Sequence, residues 1–223
     1  MGSSLPDIIA YGDCAWLIRY DVSEYSEGVM LAIHALEETF RNNGHWTEVV
    51  AGYDSLLVSF DPLSKTPEHA LTEIKSTLKS LKVEHKSPRT VQIPVCYGEH
   101  FGPDIGQIAQ LSGMSVDEII HAHSSRTYLV CMMGFVPGFV FLSSAQTDLH
   151  HPRHPTPRLK VPAGSIGIAG WQTGIYGVES PGGWQIIGRT PLSIFDRLRA
   201  NPFLLKAGDR VQFVPIESGD FND

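Results

Sequence analysis

The sequence predicts an α+β protein in two parts: an α/β sheet domain over residues 1–90 and a mostly β barrel domain over residues 91–223. Three observations predict it. Helix-period apolar patterns occur twice among short strands before residue 90. From Tyr128 onward the chain turns to short apolar runs separated by glycine and proline, the signature of an irregular all-β layer. A length of 223 residues suits one large domain or two small ones, each with a real core.

The elements follow in order. Residues 8–20 read as strand material around a turn at Gly12-Asp13. Residues 24–41 place Val29, Leu31, Ile33, Leu36 and Phe40 at helical spacing. Residues 47–60 give two short strands broken at Gly52-Tyr53-Asp54 and stopped by Asp61-Pro62. Residues 67–82 form a second amphipathic helix, with Pro67 suited to its first turn and Ala70, Leu71, Ile74, Leu78 and Leu81 inward. Residues 90–96 are a strand again, after a polar approach at Lys86-Ser87-Pro88. The order β-α-β-β-α-β is the split pattern of a ferredoxin-like sheet. Two short helices follow, Pro103–Leu111 and Ser115–His123, joined through Gly113, with Ser115 and Glu118 spaced for a capping box. After the turn-rich region come a helical turn near Leu192–Leu198 and a strand pair within Leu204–Pro215, across Ala207-Gly208-Asp209.

Bulk composition narrows the function. With 42% hydrophobic and 18% charged residues the chain is an ordinary globular protein, and a net charge of −7 argues against nucleic acid or an anionic membrane as partner. The helix pair resembles a DNA-reading unit only in outline, since Phe101–Ser125 carries no lysine or arginine. Cys14, Cys96 and Cys131 are widely spaced and form no CxxC, so neither a disulfide framework nor a zinc ribbon is expected. The first residues show neither a signal-peptide pattern nor, with Pro6, a myristoylation site, and the apolar run Tyr128–Leu142 is broken by Gly134, Pro137 and Gly138. A cytoplasmic location is the expectation.

Several catalytic engines are missing. There is no Gly-Lys pair and hence no phosphate-binding Walker loop, no HExxH and no GxSxG. His121 and His123 fall on different helix faces, and His150, His151 and His154 lie in a proline-rich loop, so no metal site is expected. The polar groups that stand out among the glycines are Gln172, Thr173, Tyr176 and Arg189. In Arg153-His154-Pro155-Thr156-Pro157-Arg158-Leu159-Lys160, two prolines stiffen a cationic loop. Either it clamps a small acid or an acidic partner surface through arginine forks, or acidic neighbours tie it down. Trp184 is either a pocket wall or core.

These residues also carry a resemblance. Gly12-Asp13-x-Ala15, Tyr53-x-Ser55-Leu56-Leu57-Val58-x-Phe60-Asp61-Pro62, Ile93-Pro94-Val95-x-Tyr97-Gly98, Phe101-Gly102-Pro103-Asp104 and His123-Ser124-Ser125 are similar to motifs of one family, in order. So is the run from Gly134-Phe135-Val136-Pro137-Gly138-Phe139 to Gly188-Arg189-Thr190-Pro191. The chain resembles the small subunits of bacterial ATP-dependent 5-oxoprolinase, also called allophanate hydrolase subunit 1 or KipI-like proteins. It departs at Val140-Phe141, where the family usually has Pro-Tyr, and at Gly177, where proline is usual. The resemblance implies a ferredoxin-like domain followed by a cyclophilin-like β-barrel, akin to a carboxyltransferase subdomain of urea carboxylase. It implies a hydrolase component, inactive alone, with a second barrel protein and a large ATP-using subunit as partners, so that ATP is used by the complex and not held tightly by this chain. 5-Oxoproline would be opened to glutamate. On that reading Arg158 takes the carboxylate, with Arg153, Trp184 and Arg189 as further binding residues. Gln172 and Thr173 position polar groups, and His123 or Tyr176 handles protons. The resemblance implies two rivals: a KipI-like inhibitor of a sensor histidine kinase, and a component of urea- or allophanate-type amide chemistry.

Overall fold

In the computed structural model, residues 5–21, 26–81, 88–98, 100–143 and 149–221 are described, and the chain divides into two compact units, Met1–Ser87 and Pro88–Asp223. The first unit opens with a hairpin, β1 (Asp7–Ala10) and β2 (Ala15–Arg19). It continues with α1 (Glu27–Asn43), β3 (Glu48–Ala51), β4 (Ser55–Ser59) and α2 (Pro67–Ser80). Ser26 caps α1 by accepting from the Val29 amide, and Thr66 caps α2, with Pro67 in its first turn where no amide donor is needed. The four strands form an antiparallel sheet in the order β1-β2-β4-β3. Period-two alternation turns Ile18, Leu56, Val58 and Val49 to one face, where Ile33, Leu36 and Phe40 of α1 and Ile74 of α2 bury them.

The second unit begins with β5 (Thr90–Tyr97), followed by α3 (Ile105–Ser112) and α4 (Val116–Ser124), whose capping box of Ser115 and Glu118 is formed. Then come β6 (Thr127–Met133), β7 (Val140–Ser143), β8 (Arg158–Val161), β9 (Ser165–Ala169), β10 (Gln172–Ile175), β11 (Ser180–Gly182), β12 (Gln185–Arg189) and β13 (Arg210–Ile216). Seven strands close a barrel in the order β10-β7-β6-β13-β5-β12-β9, and it fits a cyclophilin-like fold. Among the described residues only β5 and β13 pair in parallel. Closure removes the exposed strand edges that an open sheet would leave. Outside the barrel, β8 and β11 pair as a separate ribbon.

Three sequence expectations are corrected. The strand at residues 90–96 does not complete the N-terminal sheet; as β5 it pairs with β12 and β13 in the barrel, and the place beside β2 is filled by β1. An alternating run fits any sheet edge, so its own sequence does not choose the sheet. Leu192–Leu198 forms no helix; it runs through bends to a single turn, closed by the Arg199 amide on the Asp196 carbonyl at 3.2 Å, and Phe195 bridges to Phe203. The segment Leu204–Pro215 gives one strand, not two, because the Arg89 guanidinium takes the Leu204 carbonyl and the buried Asp209 side chain takes the Lys206 amide. The expected approach at Lys86-Ser87 lies outside the described residues. No described helix is long and apolar enough to cross a membrane.

Candidate functional site

Two buried polar clusters lie in the barrel unit. The first is centred on His123, carried by α4 and fully buried against β13, its ring stacked on Phe213 at 4.5 Å. Its Nδ1 lies 2.7 Å from the Tyr97 hydroxyl at the end of β5, and its Nε2 lies 3.2 Å from Thr173 Oγ1 on β10. Tyr128 donates to the His123 backbone carbonyl at 3.0 Å. Burial first, then the Arg126 charge, pushes the imidazole down to about 3, so it is neutral. Burial holds the Tyr97 hydroxyl well above its ordinary range, and it raises Tyr128 to about 12. Every polar side-chain atom in this cluster is engaged.

The second cluster is built by the loop after β7, the β8–β11 ribbon and the start of β12. Phe139, Val161, Ala169, Tyr176, Trp184 and Ile186 form its apolar floor, with Val136 and Phe141 packed against it. Rings meet edge-on around Phe139: Tyr176 at 4.8 Å and Trp184 at 5.5 Å. Phe135 stands next to it, 67% exposed and with φ of 71°, the one non-glycine residue with positive φ among the described residues. Such a strained, exposed aromatic is uncommon away from functional loops.

Asp104, not among the residues singled out from the sequence, organises the charges. It precedes α3 and is 4% exposed, yet its carboxylate does not cap the helix. Oδ1 accepts from Arg158 Nη2 at 2.6 Å, Oδ2 accepts from the Ile186 amide at 2.6 Å, and His154 Nε2 stands 3.3 Å from Oδ2 but out of line for a hydrogen bond. α3 can approach β12 this closely because residue 102 is glycine: a Cβ there would strike the Ile187 carbonyl. The Arg153 guanidinium lies over the Trp184 ring at 5.5 Å.

This cluster, unlike the first, has atoms left over. Arg158 Nη1, the Tyr176 hydroxyl, Ser180 Oγ and Gln185 Oε1 are buried with no hydrogen-bond partner among the described residues. Gln185 spends its Nε2 on the Pro152 carbonyl. Burial raises the Tyr176 pKa, and the Trp184 amide and the Arg153 and Arg158 charges oppose the rise. The amide therefore approaches the phenol oxygen without making a well-formed hydrogen bond, and the hydroxyl proton stays unused.

The eight sequence candidates thus fall in different places. Arg153, Arg158, Tyr176 and Trp184 come together in the second cluster. His123 and Thr173 belong to the first. Gln172 opens β10, opposite Ala169 in the hairpin with β9. Arg189, on β12, donates from Nε to the Ala163 carbonyl at 2.8 Å and lies over the Phe221 ring. Asp104 was legible only as the last residue of the Phe101-Gly102-Pro103-Asp104 motif; nothing in the sequence pairs it with Arg158, 54 residues on. No group of three metal-ligating side chains occurs among the described residues.

Residues 6–205 match the model of the carboxyltransferase domain, subdomain C and D family. Over 225 residues the chain is 39% identical to the 5-oxoprolinase B-subunit of Bacillus subtilis (strain 168), an alignment that takes in 95% of this chain and 93% of that protein. It is 41% identical over 172 residues to the 5-oxoprolinase B-subunit of Escherichia coli O157:H7, covering 77% and 79% of the two. Among solved structures, TTHA0988 superposes with a TM-score of 0.80 at 35% identity; the match covers 91% of this chain and only 40% of that one, so this chain spans about two fifths of its length. The chain belongs to the carboxyltransferase domain, subdomain C and D family.

Proposed function

We propose that this member of the carboxyltransferase-domain family is the B-subunit of a 5-oxoprolinase and contributes to opening 5-oxoproline to L-glutamate. The observation that carries the reading is the 39% identity to a 5-oxoprolinase B-subunit along nearly the whole of both chains. On this reading the chain is inactive alone. A large partner subunit spends ATP to activate the lactam oxygen, a second barrel protein completes the hydrolytic site, and the assembly works in the cytoplasm. The balance is one lactam, one ATP and two waters in, and one glutamate, one ADP and one phosphate out. We read the N-terminal unit, residues 1–90, as a ferredoxin-like variant whose fourth strand is β1, with the barrel domain over residues 91–223.

The second cluster suits the substrate side of this chemistry. Arg158, with Arg153, would bind the carboxylate, and Trp184 would wall the ring. Tyr176 supplies a neutral hydroxyl that can donate a hydrogen bond to the substrate on the same surface. His123 and Thr173 would support the barrel wall behind this surface, and Gln172 and Arg189 would border it. The test is ATP-dependent glutamate release from 5-oxoproline by the reconstituted subunits, with and without this chain. Release that requires the chain supports the reading; equal release in its absence refutes it. In the same assay Arg158→Ala should cost about 2–4 kcal/mol in transition-state binding, and Arg158→Lys should restore only part, because an ammonium lacks the planar fork.

A further inference from the structure

We propose that Arg158 Nη1 and the Tyr176 hydroxyl form a two-donor receptor for a single carboxylate, complete within this chain, and that Asp104 is the positioning residue that sets it. The identification of that carboxylate with 5-oxoproline's rests on the function proposed above; the receptor itself does not.

Each leftover atom has a restricted chemistry. A guanidinium nitrogen can only donate, and the phenol, with the Trp184 amide at its oxygen, has its own proton to offer. Arg158 is the strand partner of Gly182, whose Cβ position lies against the Tyr176 hydroxyl, so both donors belong to one point of the β8–β11 ribbon. Two buried, unspent donors there select a ligand with acceptor oxygens and exclude a cation. Buried donors of this kind are costly unless something meets them. Charge selects further. The Arg158 guanidinium is paired with the Asp104 carboxylate and Lys160 with Glu179 at 3.1 Å, while the Arg153 guanidinium lies over the Trp184 ring. Arg153 thus adds one positive charge beside the neutral pairs, which suits a monoanion.

Asp104 makes the receptor specific. By holding Nη2 with one oxygen and the Ile186 amide with the other, it fixes the guanidinium with Nη2 engaged and Nη1 left without a hydrogen-bond partner among the described residues. Gly182 has a matching role: a Cβ there would run into the Tyr176 hydroxyl, so glycine is what lets the phenol sit under β11. Gly182→Ala therefore displaces the phenol without touching a charge.

The experiment is calorimetric titration of the full chain, alone, with 5-oxoproline and with 2-pyrrolidone, the same ring without the carboxylate. The expected result is at least a tenfold preference for the acid. Tyr176→Phe should lower affinity for the acid about tenfold with an unchanged melting temperature, and Gly182→Ala should lower it further. In the reconstituted enzyme Asp104→Asn should raise KM for 5-oxoproline about tenfold with little change in kcat, and Asp104→Glu should recover part of that; a merely structural aspartate would lower the melting temperature and leave KM alone. No preference for the acid, together with an unmoved KM in a well-folded Tyr176→Phe enzyme, overturns the receptor even where glutamate is released. A carboxylate-selective chain that supports no glutamate release would leave the receptor standing and sink the 5-oxoprolinase reading instead.

Discussion

The His123 cluster and the Arg158–Tyr176 cluster are both buried, both mix aromatic rings with polar groups, and both belong to the barrel unit. They differ in completeness. Around His123 every polar side-chain atom is engaged: Tyr97 and Thr173 hold the two ring nitrogens, and Tyr128 donates to the His123 backbone carbonyl. Around Arg158 several polar atoms end without a partner among the described residues. A strongly shifted pKa marks the first cluster, so the shift alone singles out the satisfied network and not the one with unpaired polar atoms. A closed network rigidifies a core; an open one is where a ligand finds partners.

If that contrast is right, substitutions in the first cluster should damage stability and those in the second should damage ligand binding. The largest effect is expected for His123→Ala, which leaves a cavity and strands Tyr97 and Thr173. It should cost about 3–4 kcal/mol in urea unfolding. A loss under about 1 kcal/mol would mean the network is looser than its geometry.

The pH dependence of stability comes next. The His123 imidazole is depressed to about 3 in the folded protein, against about 6.5 when unfolded. The unfolded chain therefore takes up a proton first as pH falls. His123's contribution is complete above about pH 6.5 and declines toward pH 3, by about 1.4 kcal/mol per pH unit, or about 2 kcal/mol from pH 7 to pH 5. Melting curves across that range should show the decline, and His123→Gln should flatten most of it. An equal slope in the variant would assign the effect to other groups.

The smallest effects separate the clusters most cleanly. Tyr97→Phe removes the hydrogen-bond partner of Nδ1 and should cost about 1–2 kcal/mol, because the buried ring nitrogen is left unpaired. Tyr176→Phe removes a hydroxyl that has no acceptor among the described residues and should change stability by less than about 0.5 kcal/mol. Chemical denaturation of the two variants side by side tests the pair; equal losses would erase the distinction on which the receptor rests.

Much of this molecule is legible in its sequence. Apolar spacing locates α1 and α2, Pro67 and the Ser115–Glu118 pair mark helix starts, and the glycine-rich tract announces the barrel's turns. Arg153, Arg158, Tyr176 and Trp184 stand out as polar or aromatic groups among glycines, and the fold brings those four together. Local chemistry suffices for such readings, since helix period, capping and turn formation depend on residues within a few positions of one another. What the tertiary structure decided is what depends on distant partners. It sent the strand at Thr90–Tyr97 to the barrel, because pairing with β13 and β12 is a long-range choice that an alternating pattern leaves open. It drew His123 and Thr173 into a closed core network. It set Asp104 against Arg158, turning an ordinary residue before a helix into the holder of a guanidinium. Whether a buried polar atom is satisfied or left over is a property of the assembled packing, and no single stretch of sequence contains it.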